Sequence, residues 1–151
     1  MKTKISNALL AMVLFAILIP TTALSREINW QPFDKGIAMA KEKKMNVLLY
    51  FHADWCSYCK KMDRTTFKES SIINYINDNF IAISIDSDKE EKIASSFGVR
   101  GLPDIWFLKS DGTKISSLPG YFEGKELIDI LKFIKTNSYE TMSYTDFKKN
   151  L

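Results

Sequence analysis

The chain has 151 residues with 21 Lys or Arg, 18 Asp or Glu and a net charge of +3, a near balance that does not suit nucleic acid or an anionic surface as partner. It carries two cysteines and one histidine, too few for a closed structural zinc site or for a framework of disulfides.

The N-terminus reads as an export signal. Lys2 and Lys4 supply a positive start, Ala8 to Ile19 is apolar without a charge, and Pro20 ends the run. Ala23-Leu24-Ser25 places small residues where signal peptidase reads them, so cleavage is expected after Ser25, with Ala23 as the near alternative. The apolar run is short for a spanning helix, which makes a retained anchor the minor alternative. Removal of residues 1–25 leaves Arg26 to Leu151 as one domain, and subtracting Lys2 and Lys4 from +3 leaves +1. That length buries a core without staples.

Trp30 to Phe33 is a lead-in, and Asp34 is placed to cap a helix to about Lys44 with Ile37, Ala38 and Ala40 on its apolar side. Lys41, Lys43 and Lys44 suit the solvated end of that helix. Val47 to Phe51 is an unbroken apolar run, as in a strand covered on both faces. A helix is expected from about Ser57 to Phe67, then a second piece from Ile72 to Asn79 capped by Ser70 or Ser71. Phe80 to Ile85 is the next strand, ended by Asp86. Asp88 starts a helix from Lys89 to Phe97, closed by Gly98. The strand Asp104 to Lys109, the turn Ser110 to Thr113 and the strand Lys114 to Leu118 form a hairpin. After Pro119-Gly120, Glu123 to Lys135 is an amphipathic helix with Leu127, Ile128, Leu131 and Ile134 facing in. Strands joined through helices pair in parallel and the hairpin adds antiparallel pairing. The order predicts an α/β fold, a central mixed β-sheet with helices on both faces.

Both cysteines fall in Trp55-Cys56-Ser57-Tyr58-Cys59-Lys60, between the first strand and the next helix. Thiols at this spacing can close a short disulfide and reopen it. At a helix N-terminus, unpaired N–H groups and the helix dipole favour the thiolate, the nucleophile of disulfide exchange. Two plainer readings compete. A structural staple this short would remove only about 2 kcal/mol of unfolded-state entropy on the chain-entropy account. A metal clip would have only Cys56, Cys59 and His52 to offer within one chain. Redox chemistry is the favoured reading. In an oxidising compartment such a pair needs an electron donor if it is to act as a reductant.

Residues 51–60, Ile85-Asp86, Phe97-Gly-Val-Arg-Gly-Leu-Pro103, the Asp111-Gly112 turn and Pro119-Gly120-Tyr121 together resemble the thioredoxin superfamily. The likeness spans about Val47 to Ile134 and is most similar to exported members and to the C-terminal domain of the DsbD family of membrane reductases. The resemblance implies a three-layer sandwich with Cys56 as the attacking thiol and Cys59 as the resolving thiol. Pro103 would be a cis-proline facing them, Leu102 would present its backbone to a peptide, and Trp55 would form a docking surface beside the thiol. It implies a periplasmic, monomeric thiol–disulfide oxidoreductase with no cofactor beyond its own disulfide. Such a protein would reduce disulfides of exported proteins and be recharged by a membrane donor of the DsbD or CcdA type. Isomerase, oxidase and redox-inert peptide-binding roles are the alternatives on the same fold. Two positions depart from the family pattern. Tyr50 stands where a buried Asp handles protons, and Ala82 where a Lys often partners it, so proton handling at Cys59 would pass to Asp54, His52 or water. Ser57-Tyr58 between the cysteines lacks the proline of thioredoxins, and with Lys60 and Lys61 it favours a less reducing couple.

Overall fold

The computed structural model describes residues 27–151. The expected signal, residues 1–25, lies outside them. In chain order the elements are α1 Phe33–Lys43, β1 Asn46–His52, α2 Ser57–Arg64, α3 Ser70–Asn79, β2 Phe80–Asp86, α4 Glu91–Phe97, β3 Asp104–Leu108, β4 Lys114–Pro119, α5 Gly124–Lys135 and α6 Tyr144–Lys149. Short 3-10 turns occupy Thr66–Lys68 and Ser138–Glu140. No helix among the described residues is long and apolar enough to cross a membrane.

The sheet runs in the order β2-β1-β3-β4. β1 is parallel to β2, from Asn46 opposite Phe80 to His52 opposite Asp86, and antiparallel to β3, from Val47 opposite Leu108 to Phe51 opposite Asp104. β4 returns antiparallel to β3 with an irregularity at Phe107 and Leu108. The expected α/β fold with a mixed sheet is therefore present, in three layers. Side chains alternate across β1, as the two-residue period of a strand requires. Leu48 and Tyr50 enter one core with Met62 of α2, Ile72, Ile73 and Ile76 of α3, and Leu127 and Leu131 of α5. Val47, Leu49 and Phe51 enter the other with Ala40 of α1 and Ala94 of α4. Gly36 lets α1 sit directly on β2, because a Cβ there would collide with the Ile83 side chain.

Several boundaries differ from the sequence expectation, each for a local reason. α1 starts at Phe33 behind Pro32, and Asp34 lies inside its first turn rather than capping it. The proline suits that position because its missing N–H would have no helical partner. Ala38 is exposed, and Gly36 and Ala40 form the buried side of α1. The helix expected to reach Phe67 stops at Arg64, and Thr66 is held by its hydroxyl on the Phe122 carbonyl at 2.6 Å. Glu69 precedes α3 without a side-chain cap, so neither Ser70 nor Ser71 has that role. α4 begins at Glu91, not Lys89, because Asp86 organises the preceding turn: its carbonyl accepts from the N–H groups of Lys89 and Glu90, and its carboxylate from that of Asp88. Gly98 closes α4 in the left-handed region as expected. In α5 the inward set is Leu127, Ile130, Leu131 and Ile134, with Ile128 half-buried. Two features were not foreseen. Gln31 extends the sheet beside Ile83 of β2, and residues 138–149 fold back so that Phe133 meets Tyr139, Tyr144 and Phe147.

Candidate functional site

β1 delivers the chain to the end of the sheet, and Cys56 follows as the residue capping α2. Its N–H donates to the Ala53 carbonyl at 3.1 Å, and its sulfur accepts from the Cys59 N–H at 3.1 Å. That contact places the sulfur on the unpaired donors of the first helical turn. Cys56 and Cys59 are joined as a disulfide with Cα atoms 5.2 Å apart. Cys59 is 1% exposed, on the inner face of α2 with Met62, as the three-residue offset predicts. Cys56, where an attacking thiol would face solvent, is only 4% exposed in the disulfide. The exposed groups beside it are aromatic instead: Trp55 at 69% and Tyr58 at 60%.

Trp55 is held by its indole N–H on the Asp88 carboxylate at 2.9 Å, so an exposed side chain has a fixed setting. Leu102 packs against the cluster that contains both cysteines, and it lines one cleft together with Trp55. The Leu102–Pro103 bond is cis, as expected, and Pro103 is buried with its carbonyl accepting from the Gly120 N–H at 2.8 Å. On the far side of Cys56, Tyr58 approaches Tyr121 at 6.4 Å between ring centres, and the Lys61 ammonium lies 4.1 Å from the Tyr121 ring centre. Trp55, Leu102 and the disulfide are thus brought to one end of the sheet.

Beneath the pair, Tyr50 donates its phenol O–H to the Cys59 carbonyl at 3.3 Å. Burial, and then the neighbouring Asp63 carboxyl, push its pKa far up, so Tyr50 stays protonated and is no base. His52 stacks on Tyr50 at 5.3 Å. Asp63 is the titratable group that the sequence reading missed. Asp63 is exposed, yet partial desolvation of its carboxyl raises its pKa, and the Tyr50 phenol, His52 and Lys68 partly offset the rise. The signal was available: Asp63 lies four residues after Cys59 on α2, the spacing that puts two side chains on one helix face. Asp104, directly after Pro103, is also buried. Its carboxylate accepts from the Trp106 indole at 3.1 Å, its other oxygen has no partner, and burial raises its pKa. No group of three or more His, Cys, Asp or Glu among the described residues could hold a metal ion.

A disulfide closed across the N-terminus of a helix, at the end of a mixed sheet and beside a cis-proline loop, defines the class of thiol–disulfide oxidoreductase folds. The family profile described as a thioredoxin-like domain matches residues 33–135, and the chain belongs to that family. It is 27% identical over 111 residues to the thiol:disulfide interchange protein DsbD of Photorhabdus laumondii, covering 70% of this chain and 19% of that protein. It is 31% identical over 101 residues to protein disulfide isomerase-like 2-2 of Oryza sativa, covering 67% of this chain and 26% of that protein. The chain thus matches about a fifth to a quarter of the length of these curated relatives. Among solved structures, a thioredoxin from Thermus thermophilus superposes with a TM-score of 0.66 at 22% identity, covering 72% of this chain and 87% of that one. A thioredoxin-fold protein from Helicobacter pylori does so with a TM-score of 0.62 at 21% identity, covering 78% and 92%.

Proposed function

We propose that the protein is an exported, periplasmic thiol–disulfide reductase whose Cys56–Cys59 pair passes two electrons to disulfides of other exported proteins. The observation that carries this is the setting of Cys56: its sulfur occupies the N-terminus of α2 between two exposed aromatic side chains, while Cys59 is buried behind it. In the reduced form the Cys56 thiolate attacks one sulfur of a substrate disulfide. A mixed disulfide forms and the first substrate sulfur leaves as a thiolate, which takes a proton. Cys59 then loses its proton and attacks the Cys56 sulfur, the mixed disulfide breaks, and the second substrate thiol is released. The substrate gains two electrons and two protons, and the protein is left with its own disulfide. A dithiol-bearing donor protein must return them, and the similarity to DsbD supports a membrane donor of the DsbD or CcdA type. The cycle needs no cofactor beyond the cysteine pair. Residues 1–25 are assigned as the export signal on the sequence pattern described above.

Trp55 and the Leu102–Pro103 segment would bind the substrate. Asp63 would receive the Cys59 proton, because Tyr50 holds its own proton too firmly and Asp63 is the carboxyl that acts on that phenol. The isomerase-like relatives favour one second reading, shuffling of substrate disulfides by the same pair. Cys59→Ala separates active exchange from inertness. It should accumulate mixed disulfides with substrate and donor, whereas Cys56→Ala should not. Equal trapping by the two variants would contradict the order of attack, and no trapping by Cys59→Ala would contradict the reductase role.

A further inference from the structure

We infer that the cleft beside Trp55 selects substrates carrying Arg or Lys next to the disulfide under attack, an inference that rests on the reductase reading above. The cleft has a volume of about 340 Å³. Trp55, one residue before Cys56, and Leu102, one residue before Pro103, both line it. A side chain adjacent to a cysteine bound at Cys56 is therefore within reach of it. Its apolar part comes from Ala94, Val99 and Leu102. Its polar part is anionic. Asp88 holds the Trp55 indole, and Glu91 makes no ion pair among the described residues. Lys89 is committed to Asp86 outside the cleft, and Lys92, the residue after Glu91, is not part of the lining. Arg100 is the single cation in the lining, so two carboxylates and one guanidinium leave a net charge of −1.

An apolar stem with a cationic head suits both parts of the lining at once. The stem covers Val99 and Leu102, the head reaches Glu91, and the exposed Trp55 face attracts the charge. A leucine side chain would cover the apolar part while shutting Glu91 away from water, and a glutamate would be repelled.

The test uses the full chain, reduced with dithiothreitol and freed of it, then mixed with disulfide peptides that differ only by Arg, Leu or Glu beside the cysteine. Each rate is divided by the rate of the same peptide with dithiothreitol, which removes the effect of the neighbour on intrinsic reactivity. The Arg peptide should exceed the Leu peptide about fivefold, with the Glu peptide slowest. The advantage should shrink as salt is raised. Glu91 is exposed in the first turn of α4, so its variants keep the fold. Glu91→Gln should cut the Arg advantage, and Glu91→Lys should reverse the order of Arg and Glu. Equal Arg and Leu rates, a preference for Leu or Glu, or an Arg preference that survives Glu91→Lys would overturn the inference. Bis(2-hydroxyethyl) disulfide, neutral and small, separates the two levels. If it is reduced while the peptides are not discriminated, only the cleft assignment falls. If neither it nor any peptide is reduced, the reductase reading falls and takes the cleft assignment with it.

Discussion

Cys56 and Cys59 are chemically identical and differ only in where α2 puts them. One caps the helix and the other lies on its inner face above Tyr50. That difference was legible in the spacing, because three residues are just under one helical turn. The departure at Tyr50 was legible too, but its consequence was not. A sequence shows that the usual acid is missing without showing which carboxyl takes over. Asp63 became visible only when the phenol of Tyr50 was seen to sit beneath Cys59 with His52 stacked upon it. With its pKa raised by partial desolvation, Asp63 is protonated in acid and becomes a base as pH rises through that raised value. Release of a mixed disulfide should therefore accelerate with pH over this range. Asp63→Asn should slow release about tenfold or more and flatten that limb of the profile. Rapid-quench alkylation of a single turnover would read both. A variant with an unchanged pH profile would remove Asp63 from proton handling.

At the scale of elements, the central strand and the helices around it follow from hydrophobic period and length, and the helix starts do not. Three expected caps, Asp34, Ser70 or Ser71, and Asp88, are used otherwise or not at all. Asp88 shows why: its carboxylate is taken by the Trp55 indole, a partner 33 positions away that no local pattern reports. The C-terminal pieces were missed because their apolar contacts, Phe133 with Tyr139, Tyr144 and Phe147, form across a turn and not along one periodic face. β3 carries a separate cost. Asp104 at its first position is buried with one oxygen unpartnered, and burial raises its pKa. A carboxyl raised in the folded state lowers stability as pH climbs through the folded value. The penalty is absent below the unfolded value of about 3.9. Asp104→Asn keeps an acceptor for Trp106 and removes the charge. It should stabilise the protein by about 1 kcal/mol at pH 7, with the gain fading toward pH 4. Denaturant titrations at the two pH values would check this, and a difference that did not change with pH would contradict it.

The whole molecule joins these scales. Two cores, one on each face of a four-stranded sheet, hold the ends of β1 and β3 so that Cys56, Trp55 and Leu102 meet at one end of the sheet. The mixed sheet was legible because helices and hairpin each dictate a pairing direction. The added edge at Gln31 was not, since one isolated bridge leaves no periodic trace. The central claim is that the disulfide at this end of the sheet is a working couple and not a staple. The most direct test is its reduction potential, measured by equilibrating the protein in thiol–disulfide buffers and counting alkylated cysteines. Ser57-Tyr58 without proline, together with Lys60 and Lys61, sets the expectation of a reversible two-electron transition. Its midpoint should lie above thioredoxin's value of about −270 mV and near or below about −180 mV, the value of an isomerase. A midpoint below about −300 mV, the range of structural disulfides, would contradict the claim.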